Sequence, residues 1–157
     1  MQLPKMPSFS LKGRTALIVG ASSGIGTACA VALAEHGAKV TLAARRKDKL
    51  EILAHQMEKK EFEVKILELD INDIVKTSDT ISKLETFDIL VNSAGIAKHS
   101  ASLDTVFHDF DVVMNTNLRG AYFLTQAVAK NLILEKKKGS LINISSQMGL
   151  VGGQERA

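Results

Sequence analysis

Hydrophobic residues along this chain change rhythm at nearly regular intervals. Short aliphatic and β-branched runs, over Thr15–Val19, Lys39–Ala43, Glu63–Leu69, Phe87–Val91 and Gly139–Ile144, alternate with longer stretches in which apolar residues return every three or four positions. The short runs predict buried strands and the longer stretches amphipathic helices. Ile25, Ala28, Cys29, Ala32 and Leu33 set a helix over Gly24–Glu35, with Gly37 placed to cap its C-terminus. Leu50, Leu53, Ala54 and Met57 set a second from about Asp48 to Lys59, and Ile74, Ile81 and Leu84 a third after a turn at Asp70–Asp73. A long helical region from about Asp104 to Lys137 precedes the last strand. Strand and helix in this alternation build a parallel sheet with right-handed crossovers and helices on both faces. The expected fold is α/β, a doubly wound parallel sheet, in a single domain over residues 1–157 with no linker and no internal repeat.

Composition narrows the function classes. An apolar content of 45% supports a globular core. No apolar run approaches the ~20 residues needed to span a bilayer. The segment Met1–Ser10 holds both prolines and lacks the apolar centre of a secretory signal, so the cytoplasm is the expected compartment. The single Cys29 cannot form an internal disulfide and reads as a small core residue. His36, His55, His99 and His108 share no ligand spacing with one another or with Cys29, so no metal site is expected. A net charge of +3 without a recognition motif gives no case for a nucleic-acid partner. Lys136-Lys137-Lys138 ends the long helical region, where cations complement the helix dipole.

The chemistry begins at Val19-Gly20-Ala21-Ser22-Ser23-Gly24-Ile25-Gly26. These glycines follow a strand and open a helix, so backbone amides and the positive helix end can approach a pyrophosphate without a Cβ in the way. That context makes the loop a candidate dinucleotide site. Parallel sheets bind ligands beyond the carboxyl ends of their strands. The other strand ends deliver Ala44-Arg45-Arg46, Asp70-Ile71, Asn92-Ser93-Ala94-Gly95 and Ser145-Ser146. An NAD-selective site places a carboxylate after strand two for the ribose 2′-hydroxyl. Ala44 and Arg45 stand there instead, and a guanidinium suits a 2′-phosphate through charge-assisted bonds. NADP(H) is therefore preferred to NAD. The same residues argue against a methyltransferase, and the absence of a Lys-Ser/Thr pair after Gly26 argues against a P-loop phosphotransferase. Within the long helical region, Asn115-Thr116-Asn117 is a run of poor helix formers, either buried polar groups satisfied internally or a functional cluster.

Together these residues resemble the classical short-chain dehydrogenases/reductases. The likeness rests on Gly20, Gly24 and Gly26, on Asn92-Ser93-Ala94-Gly95, on Asn117 and Gly120, and on Ile142-Asn143-Ile144-Ser145-Ser146. Two positions depart from the family pattern: Val19 replaces its usual Thr, and Ser93 stands where a second Asn is common. The resemblance implies a Rossmann-type fold that stops after the fifth strand, and hydride transfer between the nicotinamide and a carbonyl or secondary alcohol of a small molecule. It implies that Ser146 hydrogen-bonds the substrate carbonyl and that Asn117 opens its helix and holds a water in a proton relay. Gly20, Ser22, Ser23, Gly24, Ile25, Gly26, Arg45 and Arg46 would hold the phosphates. Asp70 and Ile71 would meet the adenine, with Asn92, Ala94 and Gly95 along the cofactor.

The family's general acid, a Tyr, and the Lys one helical turn after it fall at family spacing beyond Ala157. Tyr122, with Gln126 four residues later, is a poor substitute because an α-helix turns it to a different face from Asn117. The expectation is the N-terminal part of a longer enzyme, a homo-tetramer or homo-dimer with the long helix in an interface. The alternative is a non-catalytic NADP(H)-binding fragment. Without covering elements, Leu141–Ile144 would be an open apolar edge, and Phe123, Leu124, Val128 and Leu132 would be partly uncovered. The glycine-rich Gln147–Gly153 is expected at the substrate mouth.

Overall fold

The computed structural model describes residues 7–156. Five strands, β1 (Thr15–Val19), β2 (Lys39–Ala44), β3 (Val64–Glu68), β4 (Ile89–Asn92) and β5 (Ser140–Asn143), form one parallel sheet in the order β3-β2-β1-β4-β5. The chain winds outward from β1 to β3, then returns to the far side of β1 for β4. Connections therefore diverge above the carboxyl ends of β1 and β4, which opens a crevice there.

Alternate residues of each central strand feed two cores. Ala16 and Ile18 of β1, Val40 and Leu42 of β2, and Val91 of β4 lie under α1 (Gly24–Glu35) and α2 (Lys47–Glu58). Leu17, Val19, Ala43 and Leu90 lie under α3 (Ile74–Lys83) and α5 (Ala121–Leu134). Leu124, Val128 and Leu132 are buried in this second core, contrary to the expectation that they would be partly uncovered, whereas Phe123 is half-buried. The reason is that α5 seats on α3, where Asn131 Nδ2 donates to the Ile81 carbonyl at 2.9 Å. The apolar edge itself is as expected: Ile142 on β5 and Ile144 just after it are 45% and 41% exposed.

Helix α1 spans the expected residues but presents a different face. Gly26, Ala30 and Ala34 are its buried residues, Cys29 and Leu33 flank them, and Ile25, Ala28 and Ala32 are exposed. A Gly/Ala stripe lets the helix axis approach the sheet more closely than larger residues would allow, and proximity outweighs side-chain hydrophobicity in choosing the face. The helix closes on Gly37 (φ +94°), whose N–H donates to Ala34 while Ala38 N–H reaches Leu33, the paired bonds of a Schellman cap.

The long helical region is interrupted. Between α4 (Phe107–Met114) and α5 lies a π-helical turn, Asn115–Gly120, on the run of poor helix formers. Helix α5 ends at Leu134, so Lys136–Lys138 follow the helix and do not occupy its last turn. Lys136 takes the cap position that Gly37 takes in α1: its φ is +54°, its N–H donates to Ile133, and Lys137 N–H donates to Leu132. At the opposite end of the sheet, Asp88 joins the strand starts by accepting from Thr15 N–H at 2.9 Å and from Arg14 at 3.2 Å. Burial pushes the Asp88 carboxyl up, but the bonds from Thr15 and Arg14 outweigh it and hold the group below its ordinary value.

Candidate functional site

The glycine loop is built by close approach. Gly20 (φ +83°) donates its N–H to the Ala43 carbonyl at 2.8 Å, and a Cβ on it would lie 2.7 Å from Ala94 N. A Cβ on Gly26 would collide with the Gly20 carbonyl and with Ser93 Oγ. Ser93 Oγ is itself held by donating to the Val19 carbonyl at 2.9 Å. Ser93 therefore ties β4's loop to β1.

Ser23 precedes α1 but does not cap it, and no acidic residue lies in the first turn. The first amides of α1 keep their hydrogen-bonding capacity, at the positive end of the helix dipole. Ser22 and Ser23 instead accept from Arg46 Nη2, at 2.8 and 3.0 Å. Arg45 stays exposed beside them.

Two adjoining clefts lie above the strand ends. The first, about 170 Å³, is lined by Gly20, Ser22, Ser23, Arg45 and Arg46 on one side and by Asp70, Ile71, Ala94 and Gly95 on the other. The second, about 680 Å³, brings Asn92, Ala94 and Gly95 together with Asn117 and Ser146. Ala94 and Gly95 line both, so the clefts are one crevice running from the β2 end to the β5 end. Gly24 and Ile25 line neither cleft, and Ile25 is 58% exposed. Gly26 is buried beneath the loop.

Asn117 sits inside the π turn. Its amide is engaged at both atoms: Ile96 N–H donates to Oδ1 at 2.9 Å, and Nδ2 donates to the Ile96 carbonyl at 2.8 Å. Ser146 Oγ accepts from Met148 N–H at 3.2 Å, and the segment Gln147–Gly149 forms a short 3₁₀ turn whose Gly149 lines the second cleft. Tyr122 lies with Asn117 along a shallow groove that adjoins the Ser146 cleft, and Tyr122 itself does not line that cleft. The π turn puts residues five apart above one another, which changes the angle an α-helix would give.

Sequence reasoning did not single out Asn72, Ile96, Thr116 as an individual residue, or Asn143 as a link between strands. Each acts through a hydrogen bond to a residue far along the chain, and no local pattern marks it. Among the described residues no group of His, Cys, Asp and Glu could hold a metal ion, and no helix is long and apolar enough to cross a membrane.

A Rossmann-type sheet with a glycine loop at its switch point defines a class of nucleotide-binding protein, and comparison with known proteins narrows it. Residues 14–157 match the family model for short chain dehydrogenase. The uncharacterized oxidoreductase YgcW of Escherichia coli is 37% identical over 153 residues, covering 95% of this chain and 58% of that protein. The 3-oxoacyl-[acyl-carrier-protein] reductase FabG of Rickettsia prowazekii is 36% identical over 149 residues, covering 95% and 60%. Among solved structures, a gluconate 5-dehydrogenase from Burkholderia cenocepacia in complex with NADP and tartrate superposes with a TM-score of 0.89 at 31% identity, covering 96% of this chain and 60% of the other. The chain belongs to the short-chain dehydrogenase family. It spans about three-fifths of the length of these relatives.

Proposed function

We propose that the chain binds NADP(H) along the crevice and forms the cofactor-binding part of an oxidoreductase acting on a carbonyl or secondary alcohol of a small molecule. The observation that carries this reading is the pairing of an uncapped α1 N-terminus, behind glycines with no room for a Cβ, with the guanidinium groups of Arg45 and Arg46. The first feature suits a pyrophosphate and the second a 2′-phosphate, whereas the β2 end carries no carboxylate for a free ribose hydroxyl. The NADP-bound Burkholderia relative supports the same choice.

NADP(H), when bound, supplies the hydride chemistry, and the protein supplies position and electrostatics. Gly20, Ser22, Ser23, Gly24, Ile25 and Gly26 form the phosphate loop, with Gly24 and Ile25 offering amides and Gly26 offering closeness. Asp70 and Ile71 form the wall for the adenine, and Asn92, Ala94 and Gly95 the floor. Ser146 accepts from Met148, which leaves its O–H free to donate to a substrate carbonyl. Asn117 fixes the β4 loop through Ile96, so a relay water would be held through its backbone.

A second reading is NADP(H) binding without turnover: among the described residues, those lining the Ser146 cleft include neither a tyrosine nor a lysine. The exposed stripe Phe107, Phe110, Leu118 and Tyr122 supports homo-dimer or homo-tetramer assembly through the long helix. A cytoplasmic setting completes the proposal. Calorimetric titration of the chain with NADPH and NADH tests it: NADPH should bind at least about tenfold more tightly, as expected for charge-assisted bonds to one phosphate. Equal affinities overturn the cofactor choice, and no binding of either overturns the site. Carbonyl-dependent NADPH oxidation then separates the enzyme from the silent binder.

A further inference from the structure

Thr116 has no part in the reading above, although it is buried (7% exposed) and polar. Its hydroxyl donates to Asn72 Oδ1 at 3.1 Å, joining the π turn to the loop after β3. Asn72 in turn donates its N–H to Asp70 Oδ1 at 3.0 Å. The Asp70 carbonyl accepts from Thr77 Oγ1 at 3.0 Å and from Asp73 N–H at 3.0 Å. The loop is thus anchored at its backbone, while its carboxylate is oriented from one side only, by Asn72.

The same turn is pressed against this loop at a second point. A Cβ on Gly120 would lie 2.8 Å from the Ile71 carbonyl oxygen. Thr116 therefore cannot withdraw from Asn72 without moving the whole turn. Its neighbour Asn117 grips Ile96 in the loop after β4. One turn of π-helix thus joins two loops that line the crevice, with adjacent residues holding the loop after β3 and the loop after β4. Valine would fill the volume of Thr116 equally well, so packing alone does not call for the hydroxyl.

We infer that Thr116 is a positioning residue for the adenine end of the dinucleotide, setting the Asp70 carboxylate through Asn72 and tying that wall, through Asn117, to the loop of β4. This rests on the proposed NADP(H) site. Asp70 keeps one carboxylate oxygen free at the cleft, where it can accept a hydrogen bond from an adenine amine.

Adenosine 2′,5′-bisphosphate, which occupies the adenine end alone, is the probe. It is titrated into the wild-type chain, Thr116→Val, Thr116→Ser, Asp70→Ala and the Asp70→Ala/Thr116→Val pair. Thr116→Val should weaken binding by about three- to tenfold, the worth of one hydrogen bond. Thr116→Ser should restore the wild-type value. In the Asp70→Ala background the valine should cost nothing further, because the two residues act in series. Unchanged binding by Thr116→Val overturns the inference, as does an equal loss in the Asp70→Ala background, which marks a general packing defect. If the wild-type chain binds neither the probe nor NADPH, the cofactor site itself fails. If it binds both and the valine changes nothing, only the role of Thr116 falls.

Discussion

Asn92 and Asn143 are register partners on β4 and β5, and their side chains are joined: Asn92 Nδ2 donates to Asn143 Oδ1 at 3.0 Å. Asn92 Oδ1 accepts from Ala94 N–H at 3.2 Å, and Asn143 Nδ2 donates to Thr125 Oγ1 on α5 at 3.2 Å. A polar thread thus runs from α5 through the edge strand to the loop lining the crevice. Asn143→Val should cost about 1–3 kcal/mol, because it strands the buried Asn92 amide. Urea unfolding of the two chains checks this, and a loss below half a kcal/mol would mean that water replaces the bond.

Arg45 and Arg46 should separate in their effects. Arg45 makes no bond to the glycine loop, so Arg45→Ala should weaken NADPH binding by about 1.5–3 kcal/mol and leave NADH nearly unchanged. Arg46 also braces Ser22 and Ser23, so Arg46→Ala should weaken both cofactors. Titration of each variant with each dinucleotide gives the four values. Equal losses of NADPH and NADH in Arg45→Ala would remove it as the 2′-phosphate ligand.

Asp88 predicts an acid limb in stability. Its carboxyl is held below the ordinary value of 3.8, so the folded state favours the ionised form. That contribution is complete above the unfolded value and is lost as pH falls through the folded one. The stability gap between the wild-type chain and Asp88→Asn should be full at neutral pH and shrink below about pH 4. Thermal melts across pH measure it, and a gap constant with pH would place the role of Asp88 in packing instead.

Lys136 and Gly37 occupy the same cap position at the ends of α5 and α1, yet only glycine adopts positive φ without steric cost. Lys136→Gly should therefore stabilise the chain by up to about 1 kcal/mol, the left-handed penalty less the added flexibility of the unfolded chain. Gly37→Lys should destabilise it by more, since a Cβ there also meets Lys12 backbone at 3.3 Å. Denaturant midpoints for both variants provide the comparison.

Strand β1, helix α1 and the parallel sheet were legible because hydrophobic rhythm and glycine placement are local signals. Residues at all five strand ends lie along the crevice for the same reason: a parallel sheet gathers its carboxyl ends at one edge. Three features escaped. The buried face of α1 was misplaced because Gly26, Ala30 and Ala34 carry little hydrophobicity, yet they alone permit the close approach. The π turn left only a run of poor helix formers at Asn115–Asn117, which a buried polar patch would also leave. The Thr116–Asn72 and Asn92–Asn143 bonds join residues 44 and 51 positions apart, a separation at which one sequence carries no pairing information.

The Gly/Ala stripe of α1 works as a spacer defined by missing atoms. It fixes how far the open end of the helix stands from β1, and with it where the glycine loop sits. Enlarging Ala30 or Ala34 to gain hydrophobic contact would lift the helix like a shim under a lever, with the largest displacement at Gly24. A search for stabilising substitutions in this layer would therefore trade directly against anion affinity. Under selection for ligand binding, the small residues of α1 should be as resistant to change as the glycines they support.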